Sequence, residues 1–457
     1  MAKTKTYFFC QECGYQSSSW LGRCPECGRF GTFVEEVVKA ESGKRSVESG
    51  KLQSTPKRID EVTYDERRRL ATGIGELDRV LGGGIVAGSL LLLGGEPGIG
   101  KSTLLLQMAL SLSVEPVLYV SAEESEEQIK MRADRLENGK REGESGLYVV
   151  SETVTGRIFE HIEALKPRLV IVDSIQTVTS EALEGAAGSV GQIRQCTSEF
   201  QHYAKSTGVP VMLIGHITKD GTLAGPKVME HIVDAVLQFE GDRSYGYRML
   251  RAGKNRFGST TEIGLFDMTS GGLREVAVPT QFFLSSRSEM VTGATVAATL
   301  EGSRPLFVEV QSLVSSAVYG TPQRVANGFD LRRLSMLLAV LEKRCGFKLA
   351  AKDVFLNIAG GLRVTDPAID LAVACAVLSS NVDIPLSPHI ALAAELGLGG
   401  EVRPVTRVEQ RIAEADRLGF DTIVISRYNE REVDASRYGI RIRPVAMIDE
   451  AMRLLFS

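Results

Sequence analysis

The chain has 457 residues, 43% of them hydrophobic and 24% charged, with a formal net charge of −4. This composition is that of an ordinary globular protein, so it excludes a disordered, collagen-like or disulfide-dense chain, and the length suggests about three domains. No run of about 18 uncharged apolar residues occurs and the N-terminus has no apolar signal region, so we expect a cytoplasmic protein without a membrane-spanning helix.

The N-terminal region contains four cysteines with the spacing C-x₂-C-x₁₀-C-x₂-C, namely Cys10, Cys13, Cys24 and Cys27. A glycine, which tolerates positive φ, follows each pair and predicts a tight turn there. Four thiolates with no open position are typical of a structural, tetrahedral zinc site. Two disulfides or a redox CxxC are the alternatives; a reducing cytosol disfavours the first, and the pairing of two CxxC units disfavours the second. We therefore predict a C4 zinc finger over residues 1–38.

The region after the zinc finger changes character twice. Residues 39–63 are polar and rich in Ser, Gly and Lys, which predicts a linker that separates the zinc finger from the next domain. Between residues 64 and 272, short apolar runs alternate with longer stretches of helical period, a pattern typical of βαβ units and a largely parallel sheet. The predicted strands are Leu90–Leu93, Val117–Val120, Leu169–Val172, Val211–Ile214 and Ala235–Phe239.

The segment Gly95–Ser102 matches the phosphate-binding loop G-x₄-G-K-[ST] and lies between a predicted strand and a helical stretch. Its glycines let backbone N–H groups turn toward phosphate oxygens, and the helix N-terminus adds partial positive charge. We expect Lys101 to reach the β- and γ-phosphates and Ser102 to ligate Mg²⁺. The predicted nucleotide-binding residues are Gly95, Glu96, Pro97, Gly98, Ile99, Gly100, Lys101, Ser102, Thr103 and Asp173.

Carboxylates at the ends of two other strands complete the predicted site. Asp173 ends an apolar run and suits the second Mg²⁺ position, but Ser174 follows it where many ATPases have a catalytic glutamate. Glu123 and Glu124 lie at the strand rim where ligands bind open α/β sheets. We predict Glu123 as the base that activates water, with Glu124 as the alternative; the other interpretation is that both acids only favour a helix start. No guanine-specifying N-K-x-D motif follows in a suitable place, which favours ATP.

The C-terminal region, residues 280–457, begins with alternating, strand-like segments. It continues with a long helical stretch at residues 331–344 and a further α/β pattern.

Taken together, these motifs resemble a known family. A candidate base on the strand after the phosphate loop and an Asp-Ser pair closing the Mg²⁺ strand are similar to RecA-type recombinase ATPases. With the four-cysteine module in front and the sequence KNRFG at residues 254–258 behind, the whole chain resembles the bacterial RadA (Sms) family of DNA-repair proteins. The resemblance implies an α/β fold: a RecA-like phosphate-loop ATPase core with a small N-terminal zinc finger and a C-terminal Lon-protease-like domain.

The resemblance also implies a function. It implies a DNA-dependent ATPase of recombinational repair, a homo-hexameric motor that drives branch migration on single-stranded and branched DNA beside a RecA-type recombinase. The implied cofactors are ATP, Mg²⁺ and Zn²⁺. Lys101 and Glu123 match catalytic positions of the family, and Lys254 and Arg256 match its signature, which acts near the nucleotide of a neighbouring subunit and is also a candidate DNA contact. A solvated basic turn is the alternative interpretation of that signature.

Two loops resemble DNA-facing segments. His216 ends a predicted strand at a position similar to the one that senses the γ-phosphate in RecA-like ATPases, although an ordinary polar residue is an equal alternative. The glycine-rich stretch after it carries Lys219 and Lys227 as candidate DNA phosphate contacts. Residues Thr179–Gln192 form a second candidate loop, which carries no cation.

From about residue 353 onward the chain resembles the Lon protease fold, in which a lysine activates a serine. Ala368 falls at the serine position and Glu409 at the lysine position, so we expect a proteolytically inactive scaffold for subunit contacts and DNA. An ATP-fuelled protease and a nucleotide-switched scaffold without motor activity are the alternatives; Ala368 and Glu409 disfavour the first, and Glu123 disfavours the second. The candidate cations of this domain are Arg304, Arg332, Arg333, Lys343 and Arg344.

Overall fold

The structure, a computed structural model, describes residues 5–11, 14–38, 58–61, 69–137, 146–216, 228–241, 246–276, 283–284, 290–317 and 320–456. The chain divides into two compact units, Met1–Glu275 and Val276–Ser457. Among the helices of the described ranges, none combines the length and apolar character needed to cross a bilayer.

The N-terminal module is a three-stranded antiparallel sheet with the order β2-β1-β3. Its strands are β1 (Lys5–Cys10), β2 (Gln16–Ser17) and β3 (Phe33–Val38). Cys10, Cys24 and Phe33 form its small buried core. A module of this size buries too little apolar surface to fold unaided, so we expect a bound metal to stabilise it.

The first unit is built on a nine-stranded sheet with the order β14-β13-β12-β11-β6-β10-β9-β7-β8. Two short strands, β4 (Arg69–Leu70) and β5 (Ile85–Val86), pair separately. The sheet strands are β6 (Leu90–Gly95), β7 (Val117–Ser121), β8 (Leu147–Ser151), β9 (Leu169–Asp173), β10 (Val211–His216), β11 (Ala235–Glu240), β12 (Tyr247–Asn255), β13 (Ile263–Thr269) and β14 (Gly272–Glu275). The helices are α1 (Gly75–Leu81), α2 (Lys101–Ser111), α3 (Glu126–Glu137), α4 (Thr155–Leu165), α5 (Val190–Thr207) and α6 (Val228–Ile232).

All five predicted strands are present, each one or two residues longer at its carboxyl end. Strands β6 to β11 are parallel, whereas β12, β13 and β14 continue the sheet as antiparallel hairpins. Alternate residues of the buried strands face two separate cores. One core packs against α1, α2 and α3, and the other packs against α4 and α5. The alternation of strands and helices therefore predicted this part of the fold correctly.

The second unit holds a seven-stranded mixed sheet with the order β17-β18-β16-β15-β19-β22-β23 and a small β20–β21 pair. Its strands are β15 (Ala294–Glu301), β16 (Arg304–Ser316), β17 (Arg324–Asn327), β18 (Lys352–Ile358), β19 (Ile390–Ala393), β20 (Glu395–Leu396), β21 (Val402–Arg403), β22 (Thr422–Ser426) and β23 (Arg441–Val445). Its helices are α7 (Leu331–Cys345), α8 (Asp370–Val382), α9 (Val408–Arg417) and α10 (Ile448–Leu455). The predicted helical stretch is α7, which Asp330 caps by accepting a hydrogen bond from the Arg333 backbone N–H.

Three details differ from the expected domain layout. Strand β14 runs past residue 272, because the last hairpin pairs with β13 as far as Glu275. A short 3-10 turn, Ile59–Glu61, lies inside the predicted linker, most of which is outside the described residues. The zinc module also contacts the core, since the Arg194 guanidinium on α5 donates a hydrogen bond to the Gly14 carbonyl at 3.1 Å. The expectation that the linker keeps the two apart is therefore wrong for this contact.

Candidate functional site

The phosphate-binding loop connects the end of β6 to the start of α2. Gly98 and Gly100 have φ values of 77° and 117°, which non-glycine residues rarely adopt. A Cβ at Gly100 would also lie 2.8 Å from the Met268 Cε atom. Because Met268 Cε is the end of a flexible side chain that can shift, the positive φ is what requires glycine at that position. The loop delivers the N-terminus of α2 to the site.

Lys101, the first residue of α2, is 4% exposed. Its Nζ atom donates hydrogen bonds to the carbonyl oxygens of Gly95 at 2.8 Å and Glu96 at 2.9 Å, and lies 3.2 Å from His216 Nδ1. Burial lowers the pKa of Lys101 to about 8, although the nearby carboxylates of Asp173 and Glu123 oppose that shift. The lysine is thus buried, hydrogen-bonded to the loop, and close to carboxylates.

The two candidate bases have different surroundings. Glu123 Oε1 accepts a hydrogen bond from the Ser174 hydroxyl and lies 3.5 Å from His216 Nε2, so Glu123 faces the lysine side of the site. Glu124 instead forms an ion pair with Arg132 on α3. Glu123 thus lies inside the site, as the prediction of a catalytic base requires, whereas Glu124 is paired outside it. The identity of the base stays a prediction.

Asp173 ends β9 at the same edge of the sheet and is almost fully buried. The Tyr119 hydroxyl on β7 donates a hydrogen bond to Asp173 Oδ2 at 2.6 Å. Burial, together with the Asp173 carboxylate, raises the pKa of Tyr119 well above its usual value, so the hydroxyl remains a donor. Sequence analysis missed this contact. The available signal was a phenol in an otherwise apolar, buried strand, since buried hydroxyls need partners.

The KNRFG segment begins with the last two residues of β12, Lys254 and Asn255, and continues into the turn after the strand. The Lys254 ammonium donates to the carbonyl oxygens of Glu230 at 2.6 Å and Val233 at 2.8 Å, and so caps the end of α6. Burial and the neighbouring Arg256 charge lower the pKa of Lys254. Arg256 Nη1 lies 3.3 Å from Asp234 Oδ1, and its side chain is half-exposed.

Asp234 is a buried anchor that the sequence did not predict. Its carboxylate accepts hydrogen bonds from the Leu90 backbone N–H at 3.0 Å and from Lys205 Nζ at 2.6 Å, in addition to pairing with Arg256. The KNRFG segment is therefore attached to the start of β6, where Leu90 lies.

This attachment puts the KNRFG segment at the amino ends of the parallel strands, which is the opposite edge of the sheet from the phosphate loop at their carboxyl ends. Ala235 pairs with Leu91 on β6 and with Asn255 on β12, because the antiparallel β12 returns to the amino ends of the parallel strands. Strand β6, from Leu90 to Gly95, spans roughly 16 Å at 3.3 Å per residue. The structure thus brings together Lys101, Glu123, Asp173, Ser174 and His216, but not Lys254 and Arg256 of the same chain.

The candidate metal centre lies in the zinc module. The sulfur atoms of Cys10, Cys24 and Cys27 all lie within 4.8 Å of one another, and Cys10 Sγ is 3.7 Å from Cys27 Sγ. Sulfurs bound to one tetrahedral Zn²⁺ at about 2.3 Å are separated by about 3.8 Å, so the spacing fits that ion. Gly14 and Gly28 have the expected positive φ of 73°. The fourth predicted ligand, Cys13, lies outside the described residues.

The candidate DNA loops are only partly described. Lys219 and Lys227 lie outside the described residues. In the segment Thr179–Gln192, the buried Gln192 side chain accepts from the Ser180 N–H at 2.8 Å and donates to the Leu183 carbonyl, which fixes the first part of the segment. Residues 184–188 are exposed. The segment is therefore anchored at both ends, with an exposed middle.

The Lon-like region has a buried ion pair beside the predicted serine position. Ala368 is buried, and its N–H donates to Asp366 Oδ1 at 3.1 Å. Arg411, 1% exposed, lies 2.7 Å from Asp366 Oδ2, whereas Glu409 pairs loosely with Arg437 at 3.8 Å. Among the candidate cations, Arg333 pairs with Asp370 and Glu395, while Arg332, Lys343 and Arg344 are exposed and Arg304 is partly buried.

Comparison with known proteins adds to this geometry. Residues 55–222 match a family model described as AAA domain, residues 8–35 match the rubredoxin metal binding domain, and residues 313–429 match subunit ChlI of Mg-chelatase. A protein called DNA repair protein RadA from Halalkalibacterium halodurans is 50% identical over 429 residues, which are 93% of each chain. The protein of the same name from Bacillus subtilis is 47% identical over 458 residues, 99% of each chain. A solved KaiC-like protein from Pyrococcus horikoshii OT3 matches 46% of this chain and 99% of its own at 21% identity, with a TM-score of 0.37.

Proposed function

This chain belongs to the family of proteins called DNA repair protein RadA, and we propose that it acts in recombinational DNA repair as a DNA-dependent ATPase. The resemblance predicted from the motifs is thereby confirmed, as is the fold class: a RecA-like ATPase core, an N-terminal metal-binding ribbon and a C-terminal Lon-like domain. In the proposed function, the chain forms a hexameric ring that drives branch migration on single-stranded and branched DNA, in the cytoplasm, beside a RecA-type recombinase.

The observation that carries the proposal is the cluster of Lys101, Glu123 and Asp173 at the carboxyl ends of the parallel strands β6, β7 and β9, with β10 between β6 and β9. In the proposed reaction, Lys101 exchanges the loop carbonyls for β- and γ-phosphate oxygens of ATP. Glu123, oriented by the Ser174 hydroxyl, polarises the attacking water. His216 contacts both Lys101 and Glu123, so it can relay the state of the γ-phosphate into the segment that follows it.

Ser102 and Asp173 are the residues that would hold Mg²⁺. A hydroxyl on the first turn of α2 and a carboxylate at the facing strand end are the oxygen ligands this ion takes in nucleotide sites. Tyr119 engages only one oxygen of Asp173, which leaves the other for the ion or its water. A bound Mg²⁺ would neutralise charge that develops on the phosphates.

We further propose that Arg256 acts on the nucleotide of a neighbouring subunit. Its own phosphate loop lies at the other edge of the sheet, too far for its side chain to reach. Lys254 is already committed to two carbonyls of the α6 end, so its proposed role is to hold the segment, while the half-exposed Arg256 is the candidate finger. An interface in which the nucleotide pocket of one subunit meets Arg256 of the next is head-to-tail, and it closes into a ring when the rotation between subunits returns to the first one.

We propose Zn²⁺ as the metal of the N-terminal module, with Cys13 as its fourth ligand. The sulfur spacing and the small core of the module support this assignment. Metal analysis should find about one zinc per chain, and Cys24→Ser should release it. A protein prepared without chelator that contains no zinc would refute the assignment.

For the Lon-like domain we propose a scaffold without peptidase chemistry. A methyl group at Ala368 offers no nucleophile, and the buried Arg411–Asp366 pair beside it is satisfied by contacts to Ala298 and Leu300. The proposed work of the domain is subunit contact and DNA binding through its exposed cations.

The experiment that tests the proposed function is ATP hydrolysis by the purified chain with and without single-stranded DNA. Lys101→Ala should abolish turnover, whereas Lys130→Ala, which removes an exposed lysine on α3, should not. Hydrolysis that ignores DNA would refute the DNA-dependent part of the proposal. Hydrolysis that survives Lys101→Ala would refute the assigned site.

A further inference from the structure

Two exposed aromatic rings flank the second cysteine pair of the zinc module. We call the turn at Cys24 and Cys27 the second knuckle and the turn at Cys10 and Cys13 the first. Phe30 is 76% exposed and Trp20 is 58% exposed, whereas Phe9 and Phe33 of the same module are buried. The Arg23 guanidinium lies over the Phe30 ring, 5.4 Å from its centroid, and Arg23 Nε donates to the Gly28 carbonyl at 3.0 Å. The stacked arginine is therefore held in place by the knuckle itself.

The polar surroundings of these rings favour a nucleic acid over a protein partner. Protein hot spots are aromatic anchors inside a patch that excludes water. In the sequence, the rings are flanked by three serines, residues 17–19, and by residues 22–29, which hold two glycines, two arginines and one acid, Glu26. Isolated aromatic faces accompanied by guanidinium groups are the features on which single-stranded nucleic acids stack, since every base has a π-face and the arginine attracts phosphate.

The position of the module fits the same partner. Arg194 lies on the second turn of α5, and its guanidinium donates a hydrogen bond to the Gly14 carbonyl of the first knuckle. Helix α5 begins directly after the exposed residues 184–188 of the candidate DNA segment. Because α5 runs back from the carboxyl ends of the strands, the module is attached to the side of the core where the nucleotide site and both candidate DNA loops begin.

We propose that Trp20 and the Arg23–Phe30 pair stack against bases of single-stranded DNA and so guide the strand toward the ATPase core. This inference rests on the proposed function, in which single-stranded DNA is the track. It assigns the zinc module a binding surface made of side chains that neither hold the metal nor build the core. The recognition is by shape and charge, so it is independent of base sequence.

Trp20 makes the proposal directly measurable, because it is the only tryptophan in the chain. Titration with an unstructured oligothymidine should quench Trp20 emission over the same concentration range in which the anisotropy of a labelled copy of the oligonucleotide rises. Contact with DNA elsewhere on the protein would raise the anisotropy without changing Trp20 emission.

Substitutions separate stacking from folding. Trp20→Phe keeps an aromatic face and should retain affinity, whereas Trp20→Ala should weaken binding about tenfold. Phe30→Leu keeps an apolar side chain without a π-face and should weaken it similarly. Tyr148→Ala, which removes a 51% exposed ring on β8, is the matched control and should bind as the parent does. Zinc content and thermal melting check that each variant is folded.

Two failures are distinguishable. If the chain binds oligothymidine by anisotropy but Trp20 emission and the affinities of Trp20→Ala and Phe30→Leu stay unchanged, the stacking surface is refuted and the proposed function stands. The exposed rings would then be assigned to a contact with a protein partner. If no DNA binds at all, the proposed function itself fails, and this inference fails with it.

Discussion

Mixed rings test whether Arg256 works on the nucleotide of a neighbouring subunit. Arg256→Ala leaves the phosphate loop intact, so ATP binding through Lys101 should persist while turnover is lost. Lys101→Ala leaves the finger intact but removes the phosphate clamp. Each variant alone should be inactive, for opposite reasons, and co-assembly should restore activity only if the finger acts between subunits.

The size of these effects follows from the geometry. The two edges of the sheet are roughly 16 Å apart, so no finger can reach its own pocket. A finger supplied from a neighbour is worth about 10³-fold or more in turnover. Random mixing of equal amounts pairs an intact pocket with an intact finger at about one quarter of head-to-tail interfaces. ATPase assays should therefore show about a quarter of the parent rate, against a background about 10³-fold lower.

One control removes the structural alternative. Arg256→Ala takes one of three partners from the buried Asp234 carboxylate, which costs about 1–3 kcal/mol of stability and lowers the melting temperature. Arg256→Lys keeps the charge beside Asp234 and should keep the stability, yet it lacks the guanidinium fork and should still lose most turnover. Mixed rings no more active than either variant, with co-assembly verified by mass, would show that Arg256 does not act on the nucleotide of a neighbouring subunit.

Three further predictions concern the pocket itself. Glu123→Gln should bind ATP but lower single-turnover hydrolysis by about 10²–10⁴-fold, while Glu124→Gln should stay near the parent rate; equal losses would contradict the assignment. Tyr119→Phe removes the hydroxyl on Asp173 and should raise severalfold the Mg²⁺ concentration for half-maximal turnover, with little change at saturating Mg²⁺; an unchanged Mg²⁺ dependence would count against this role. The pKa of Lys101 before nucleotide binding is about 8, and the phosphates of a bound nucleotide favour the charged lysine, so binding raises that pKa. The affinity for an ATP analogue should therefore be full below pH 8 and fall as the pH rises through that value. A dissociation constant that stays flat between about pH 7 and about pH 9 would refute that linkage.

The parts of this site that lie in one short stretch of chain could be predicted from sequence. The phosphate loop is contiguous, and its glycines, lysine and serine fix their own geometry, so Gly95–Ser102 needed no tertiary information. Likewise, an apolar run that ends in a carboxylate predicted Asp173 at a strand end. The α/β pattern then placed these ends at one edge, because parallel strands share direction.

The contacts that the sequence could not give join residues far apart in the chain. Tyr119 and Asp173 are 54 residues apart, and Leu90 and Asp234 are 144 apart. The position of the KNRFG segment depends on β12 being antiparallel to β11, which reverses the edge at which the motif lies. A basic motif after an apolar run gives no information on that direction, so the residues alone did not place the segment in the fold. The family resemblance, and not the pattern, implied that it acts near the nucleotide of a neighbouring subunit.

The rate of ATP hydrolysis, measured with and without single-stranded DNA, is the decisive measurement of whether this chain is a DNA-dependent ATPase. We expect turnover that depends on Lys101, rises when DNA is added and drops in Glu123→Gln while ATP still binds. Turnover that is the same in Lys101→Ala as in the parent, or that DNA leaves unchanged, would contradict this expectation.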